Sequence, residues 1–158
     1  MRALSKPLTF EQIREYFPRM PFNSLLGMRL VDVHEDGLTL EIPLRDDLKN
    51  LAGQMHGGVL ATLVDAAAGM ATHRQLGGRH PITTVEFKIN YFRPISEGSA
   101  FGRARILRLG KTLSVVQVDL YDGRQKLAGT ALVTYMILPD AAYQERRIRE
   151  EDGAAIVD

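Results

Sequence analysis

The hydrophobic pattern of the chain changes period twice, and each change marks a different kind of element. Phe10, Ile13 and Phe17 recur at helical spacing behind Thr9. Thr9 and Gln12 form a capping-box signature, in which each side chain satisfies the other residue's free amide. Pro18 ends that helix, since proline lacks an amide and clashes with the turn before it. Residues 22–27, Phe-Asn-Ser-Leu-Leu-Gly, predict one further helical turn closed by glycine. From Met28 the period is two. Residues 28–34 and 38–44 predict strands, and Glu35-Asp36-Gly37 predicts the turn of a hairpin between them.

Residues 45–55 read as a polar connection. An alanine-rich, largely apolar helix follows from Gly57 to about Leu76, where Gly77-Gly78 stops it. Alternation then returns over 82–92, 99–109, 112–121 and 125–138, divided by Arg93-Pro94, Leu109-Gly110-Lys111 and Asp122-Gly123. A long helix that is apolar on most sides must be covered on most sides. One antiparallel sheet curling around it is the economical solution, an α+β architecture with a short N-terminal helix across one side. This reading places one domain at 1–138, with an N-terminal helical segment at 8–27 and a core at 28–138. The charged tail at 139–158, with a possible helical turn at 145–151, is expected to be mobile and to carry no chemistry.

At 158 residues the chain can bury a substantial core. Its 20 Lys and Arg against 19 Asp and Glu leave a formal net charge of +1, which gives no case for nucleic acid or an anionic membrane as partner. The absence of cysteine excludes disulfides, zinc–thiolate sites and a thiol nucleophile. Residues 1–7 lack an apolar signal core, and no segment reaches the length of a membrane span, so a cytoplasmic protein is expected. Leu109-Gly110-Lys111-Thr112 ends like a phosphate-binding loop, but Arg105 stands where that motif requires its first glycine. Neither a Gly-x-Ser-x-Gly elbow nor His spacing suited to a metal is present, so no metal is expected.

The chemistry concentrates between Asn50 and His73. Gly57 and Gly58 open the long helix, where the first amides lack intrahelical partners and can bind a carbonyl oxygen that becomes negative. A plain glycine bend with a simple cap accounts for the pair about as well. Asp65 is a carboxylate in an apolar run, and a buried acid is costly unless paired or used. Structural pairing with a threonine or an amide is the other reading. Asp65 lies eight residues beyond Gly57, roughly 12 Å along the helix axis, too far to act on a carbonyl held by the same chain's Gly57. Two antiparallel copies of the helix would bring them together, which predicts a homodimer with two shared sites. Thr62, Asp65, Gly69, Thr72 and His73 form a small polar stripe suited to close helix packing or a substrate channel. His56 is read as orienting the loop, and the Asn50 amide as able to hold a water or a carbonyl.

The string Asn50-x-x-Gly53-x-x-His56-Gly57-Gly58, with Asp65 on the following helix, resembles the hotdog-fold acyl-CoA thioesterases. The best match is their phenylacetyl-CoA thioesterase-like branch. The likeness extends over residues 20–138, including Tyr91-Phe92-Arg93-Pro94 and the Leu109-Gly110-Lys111 turn. It implies a curved antiparallel sheet wrapped around one central helix, in dimers that often pair into tetramers. It also implies hydrolysis of an acyl-CoA to free acid and coenzyme A, without a cofactor, coenzyme A being part of the substrate. In that scheme the Gly57 amide polarises the carbonyl, and Asp65 of the other chain is general base or nucleophile. Asn50 and His56 order the water and the loop, and Thr84, with Thr83 beside it, supplies the hydroxyl of the third strand. Gly58 and Thr62 border the substrate. Arg93 and Lys111 are the favoured phosphate contacts among a set that includes Arg103, Arg105 and Arg108. Two other readings are a hotdog dehydratase or hydratase, which would need a second acid–base partner for Asp65, and a non-catalytic acyl-CoA binder, which would need no acid.

Overall fold

A computed structural model describes residues 6–139. The expected tail and its turn at 145–151 lie outside the described residues.

The N-terminal segment folds as α1 (Phe10–Tyr16), a 3-10 turn (Phe17–Arg19) and α2 (Pro21–Leu25). The capping box is present: the Gln12 amide donates to the Thr9 hydroxyl, and the Gln12 side chain accepts from the Thr9 amide. Ile13 and Phe17 face inward and are buried. Gly27, at φ +65°, turns the chain out of α2 in a conformation that glycine adopts readily.

The hairpin follows as β1 (Arg29–His34) and β2 (Gly37–Pro43), then the long helix α3 (Gly57–Gln75). The remaining strands are β3 (Ile82–Tyr91), β4 (Ser99–Leu109), β5 (Leu113–Tyr121) and β6 (Leu127–Ile137). All six form one antiparallel sheet in the order β1-β2-β4-β5-β6-β3. The chain therefore crosses the sheet through α3 and lays β3 on the far edge, beside the last strand.

Helix α3 packs against β2, β3, β4, β5 and β6. Five strands at about 4.8 Å spacing span roughly 19 Å, twice the ~10 Å diameter of a helix. Contact with all five requires the sheet to curve around it. Alternation supplies the inner surface: Leu38, Leu40 and Ile42 on β2, Val116, Val118 and Leu120 on β5, and Ala131 and Val133 on β6 are buried. On β4 the inward residues are small, Ala100, Gly102 and Ala104, and they set how closely the helix approaches. A Cβ on Gly102 would stand 3.0 Å from Leu63 Cγ of the helix.

The helix differs from expectation in one respect. Thr72 of the polar stripe faces the sheet, fully buried, with its hydroxyl 2.9 Å from that of Ser114 on β5. It stands at the margin of the stripe, about 20° from Asp65 around the helix axis, where its hydroxyl and that of Ser114 satisfy each other.

Candidate active site

His56 caps α3: its Nδ1 accepts from the Gly58 amide at 2.9 Å. That acceptor role places the proton of a neutral ring on Nε2. It also occupies the Gly58 amide, so Gly57 is the residue of the pair whose amide donates to no group among the described residues. Tyr91, at the end of β3, donates to the Gly57 carbonyl at 2.8 Å and fixes the helix entry against the sheet edge. Asn50 Oδ1 accepts from the amides of Ala52 and Gln54 at 2.9 and 3.1 Å, holding the loop with its oxygen and leaving its NH2 as the group directed elsewhere. Asn50, Gly57, Tyr91 and Arg93 share one surface depression.

Asp65 lies in a different depression, two helical turns on. It is half-buried in this chain, not enclosed as its apolar neighbours suggested. Thr84 on β3 donates to Asp65 Oδ1 at 2.9 Å, and Tyr135 on β6 donates to the same oxygen at 2.8 Å. A β-bulge puts Thr84 in place. The register shifts between Thr84 and Glu86, so Val85 is an extra residue, and Thr84 pairs with Tyr135 on the inner face together with Phe87, Ile89 and Tyr91. Simple alternation back from Tyr91 would have put Val85 and Thr83 inward instead.

The depression beside Asp65 has a volume of about 430 Å³ and is mainly apolar, with Met20 and Phe22 from the N-terminal segment facing Gly69 and Met70 of the helix. Thr83 and His73 also line it. Thr62 borders it, but its hydroxyl is engaged with the Gly58 carbonyl at 3.0 Å. His73 packs edge-on against Tyr16, with ring centroids 5.9 Å apart. Burial lowers its pKa below the ordinary 6.5, opposed by a hydrogen bond that the ring donates to the His80 backbone.

The fold thus brings Asp65, Thr84, Thr83 and Thr62 to one depression, and Asn50, Gly57 and Arg93 to another. Lys111 lines neither; it lies exposed in the β4–β5 turn. Among the described residues no cluster of His, Cys, Asp or Glu is suited to a metal, and no helix is long and apolar enough to cross a membrane. Sequence reasoning missed Tyr135. The signal was available: alternation through Ala131 and Val133 places it inward, and a buried phenol requires a partner.

The sequence model of the thioesterase superfamily matches residues 52–128, from the loop before α3 into β6. A crystallographically solved protein of the thioesterase superfamily is 30% identical, covers 81% of this chain and 97% of its own, and superposes with a TM-score of 0.74. The medium/long-chain acyl-CoA thioesterase YigI of Escherichia coli is 29% identical over 155 residues, 85% of this chain and 99% of that protein. A thioesterase of Haemophilus influenzae, 23% identical, shares the fold at a TM-score of 0.79 over 87% of this chain and 95% of its own. Fold and relatives together define a hotdog-fold hydrolase acting on thioester bonds. The chain belongs to the thioesterase superfamily.

Proposed function

We propose that this protein hydrolyses acyl-CoA thioesters to free acid and coenzyme A, at sites shared between two copies of the chain. The observation that carries the reading is the setting of Asp65. Two hydroxyl donors occupy its Oδ1, its Oδ2 accepts from no group among the described residues, and the carboxylate borders an apolar depression able to take an acyl group. The acyl-CoA substrate is supported by the likeness to YigI.

The features of β3 support a second subunit. This strand begins beside Asp65, through Thr84, and ends beside Gly57, through Tyr91. It is an edge strand with exposed Val85 and Phe87, an unpaired edge of the kind that invites another strand. Antiparallel pairing of two copies of β3 about Lys88, with Val85 the extra residue in each, would set Thr84 of each opposite Tyr91 of the other. Asp65 then meets the partner subunit's Gly57, which the helix keeps roughly 12 Å away within one chain.

In that site Asp65 Oδ2 takes a proton from water as the oxygen attacks the thioester carbonyl carbon. The partner subunit's Gly57 amide, at the positive end of its helix, donates to the oxyanion that forms. The carbon–sulfur bond then breaks, and the departing thiolate recovers the proton from Asp65. The sheet register supports a composite site for the coenzyme phosphates: Lys111 precedes Leu113, which pairs through Met136 to Thr83, so Lys111 lies at the Asp65 end of the sheet. There it would face the partner subunit's Arg93 across the interface.

Thiol release from a panel of acyl-CoAs, measured for wild type and Asp65→Ala, tests this directly. Turnover in the wild type and a loss of 10²-fold or more in the variant are expected for removal of a general base. No thiol release from any short, long or aryl acyl-CoA would reject the substrate class, and equal turnover in the variant would reject Asp65 as the base.

A further inference from the structure

We propose that Tyr135 is a positioning residue for Asp65, and that Gly69 is glycine in order to admit it. The inference rests on the reading of Asp65 as the reacting group and adds two residues to the site.

Tyr135 lies on the inner face of β6, with only 6% of its surface exposed. Its phenol oxygen is 2.8 Å from both the backbone carbonyl and the side-chain Oδ1 of Asp65, so one hydroxyl spans the residue's main chain and its carboxylate. Thr84, its partner across the β3–β6 pairing, donates to the same Oδ1. Two donors from neighbouring strands therefore fix which carboxylate oxygen is held and which is presented. Without the phenol, the carboxylate keeps Thr84 alone and can rotate about its terminal torsion, a broad and shallow one. Burial, and secondarily the charge of Asp65, push the Tyr135 phenol well above its ordinary value, with a Thr84 hydrogen bond opposing, so the phenol remains a donor wherever the enzyme is folded.

Gly69 is one turn beyond Asp65 in the interior of α3, where glycine is unfavourable relative to alanine. A Cβ at this position would stand 2.6 Å from the Tyr135 oxygen and 2.9 Å from its Cζ. The phenol thus occupies the space that a side chain at 69 would fill, and even alanine must displace it from Asp65. Neither the phenol nor the glycine is demanded by its own element, since phenylalanine suits a strand and alanine suits a helix.

The test is a kinetic cycle by thiol release on one acyl-CoA substrate, with Asp65→Ala, Tyr135→Phe, Gly69→Ala and the double variant Gly69→Ala/Tyr135→Phe. Losing a hydrogen bond to a charged group predicts a fall in kcat of about tenfold or more for Tyr135→Phe, with KM within about twofold, because the ring keeps its place in the wall of the acyl depression and only the hydroxyl is lost. Gly69→Ala should lower kcat likewise, with KM left out of the comparison because Gly69 itself lines the acyl depression. The double variant should lose less than the product of the two single losses, since the hydrogen bond that Gly69→Ala disturbs is already gone, while the added Cβ still meets the ring Cζ. An unchanged kcat in Tyr135→Phe overturns the proposal, and so do losses that multiply in the double variant. If Gly69→Ala does not fold, the kcat-against-KM split of Tyr135→Phe decides alone. Full activity in Asp65→Ala would instead reject the underlying reading of Asp65, an outcome distinct from any of these.

Discussion

At the scale of single residues, the polar groups on α3 divide by what meets them. Thr72 and Ser114 cancel each other inside the core, Asp65 is held by two hydroxyls at the edge of a depression, and His73 is buried against Tyr16. His73 has a consequence for stability. Its folded pKa lies below 6.5, mainly through burial, so between that folded value and 6.5 the unfolded chain binds more protons than the native one. Its contribution is fully present above pH 6.5 and is lost as pH falls through this window. Urea unfolding at pH 7.5 and 5.5 should show a larger loss in wild type than in His73→Phe, all other titrating groups being common to both. Equal losses would mean that the imidazole is solvated enough to charge in place.

At the scale of elements, local pattern carried most of the information. The Thr9–Gln12 box, the period-two runs and the terminating glycines placed every α-helix and strand of the described chain within a few residues, but not the 3-10 turns Phe17–Arg19 and Asp46–Leu48. The same alternation marked the inner faces of β2, β4 and β5. The site was less legible because its contacts are not local. Tyr135 and Asp65 are 70 positions apart, and the bulge at Val85 breaks the alternation that would otherwise have told Thr83 from Thr84. Nothing in the composition of β3 announces an extra residue. The packing of β4 on α3 can be tested at Gly102. Valine suits a strand, on a propensity scale that spans about 1 kcal/mol. Its side chain would, however, be driven into Leu63, where overpacking costs about 1–3 kcal/mol. The clash is the larger effect, so Gly102→Val should lower the denaturation midpoint. A raised midpoint would show that α3 can move away from β4 at little cost.

At the scale of the whole molecule, the separation of Asp65 from Gly57 dominates. Each chain carries two depressions, at the two ends of β3; on the proposed reading they are half-sites, and pairing along that strand would complete two sites per dimer. Differently tagged Asp65→Ala and Gly57→Leu chains, each inactive as a homodimer, should recover about half of the wild-type activity once heterodimers are isolated, because one of two sites then has both good halves. Verified heterodimers with no recovery would place Asp65 and Gly57 of one chain in the same site after all. The bulk of leucine is essential here, since any residue at 57 but proline keeps the amide.

The contact between Gly69 and Tyr135 also bears on the order in which such a site can arise. The glycine tolerates a smaller neighbour at 135, but the tyrosine does not tolerate a side chain at 69. A lineage can gain the glycine first, at a small cost in helix stability, and the phenol second. The reverse path passes through a chain whose new hydroxyl has no room. Decay of the site runs the other way: the phenol can be lost at once, and only then is position 69 free to drift. Histories of this pair should therefore contain glycine without tyrosine, and not tyrosine beside a bulky residue at 69.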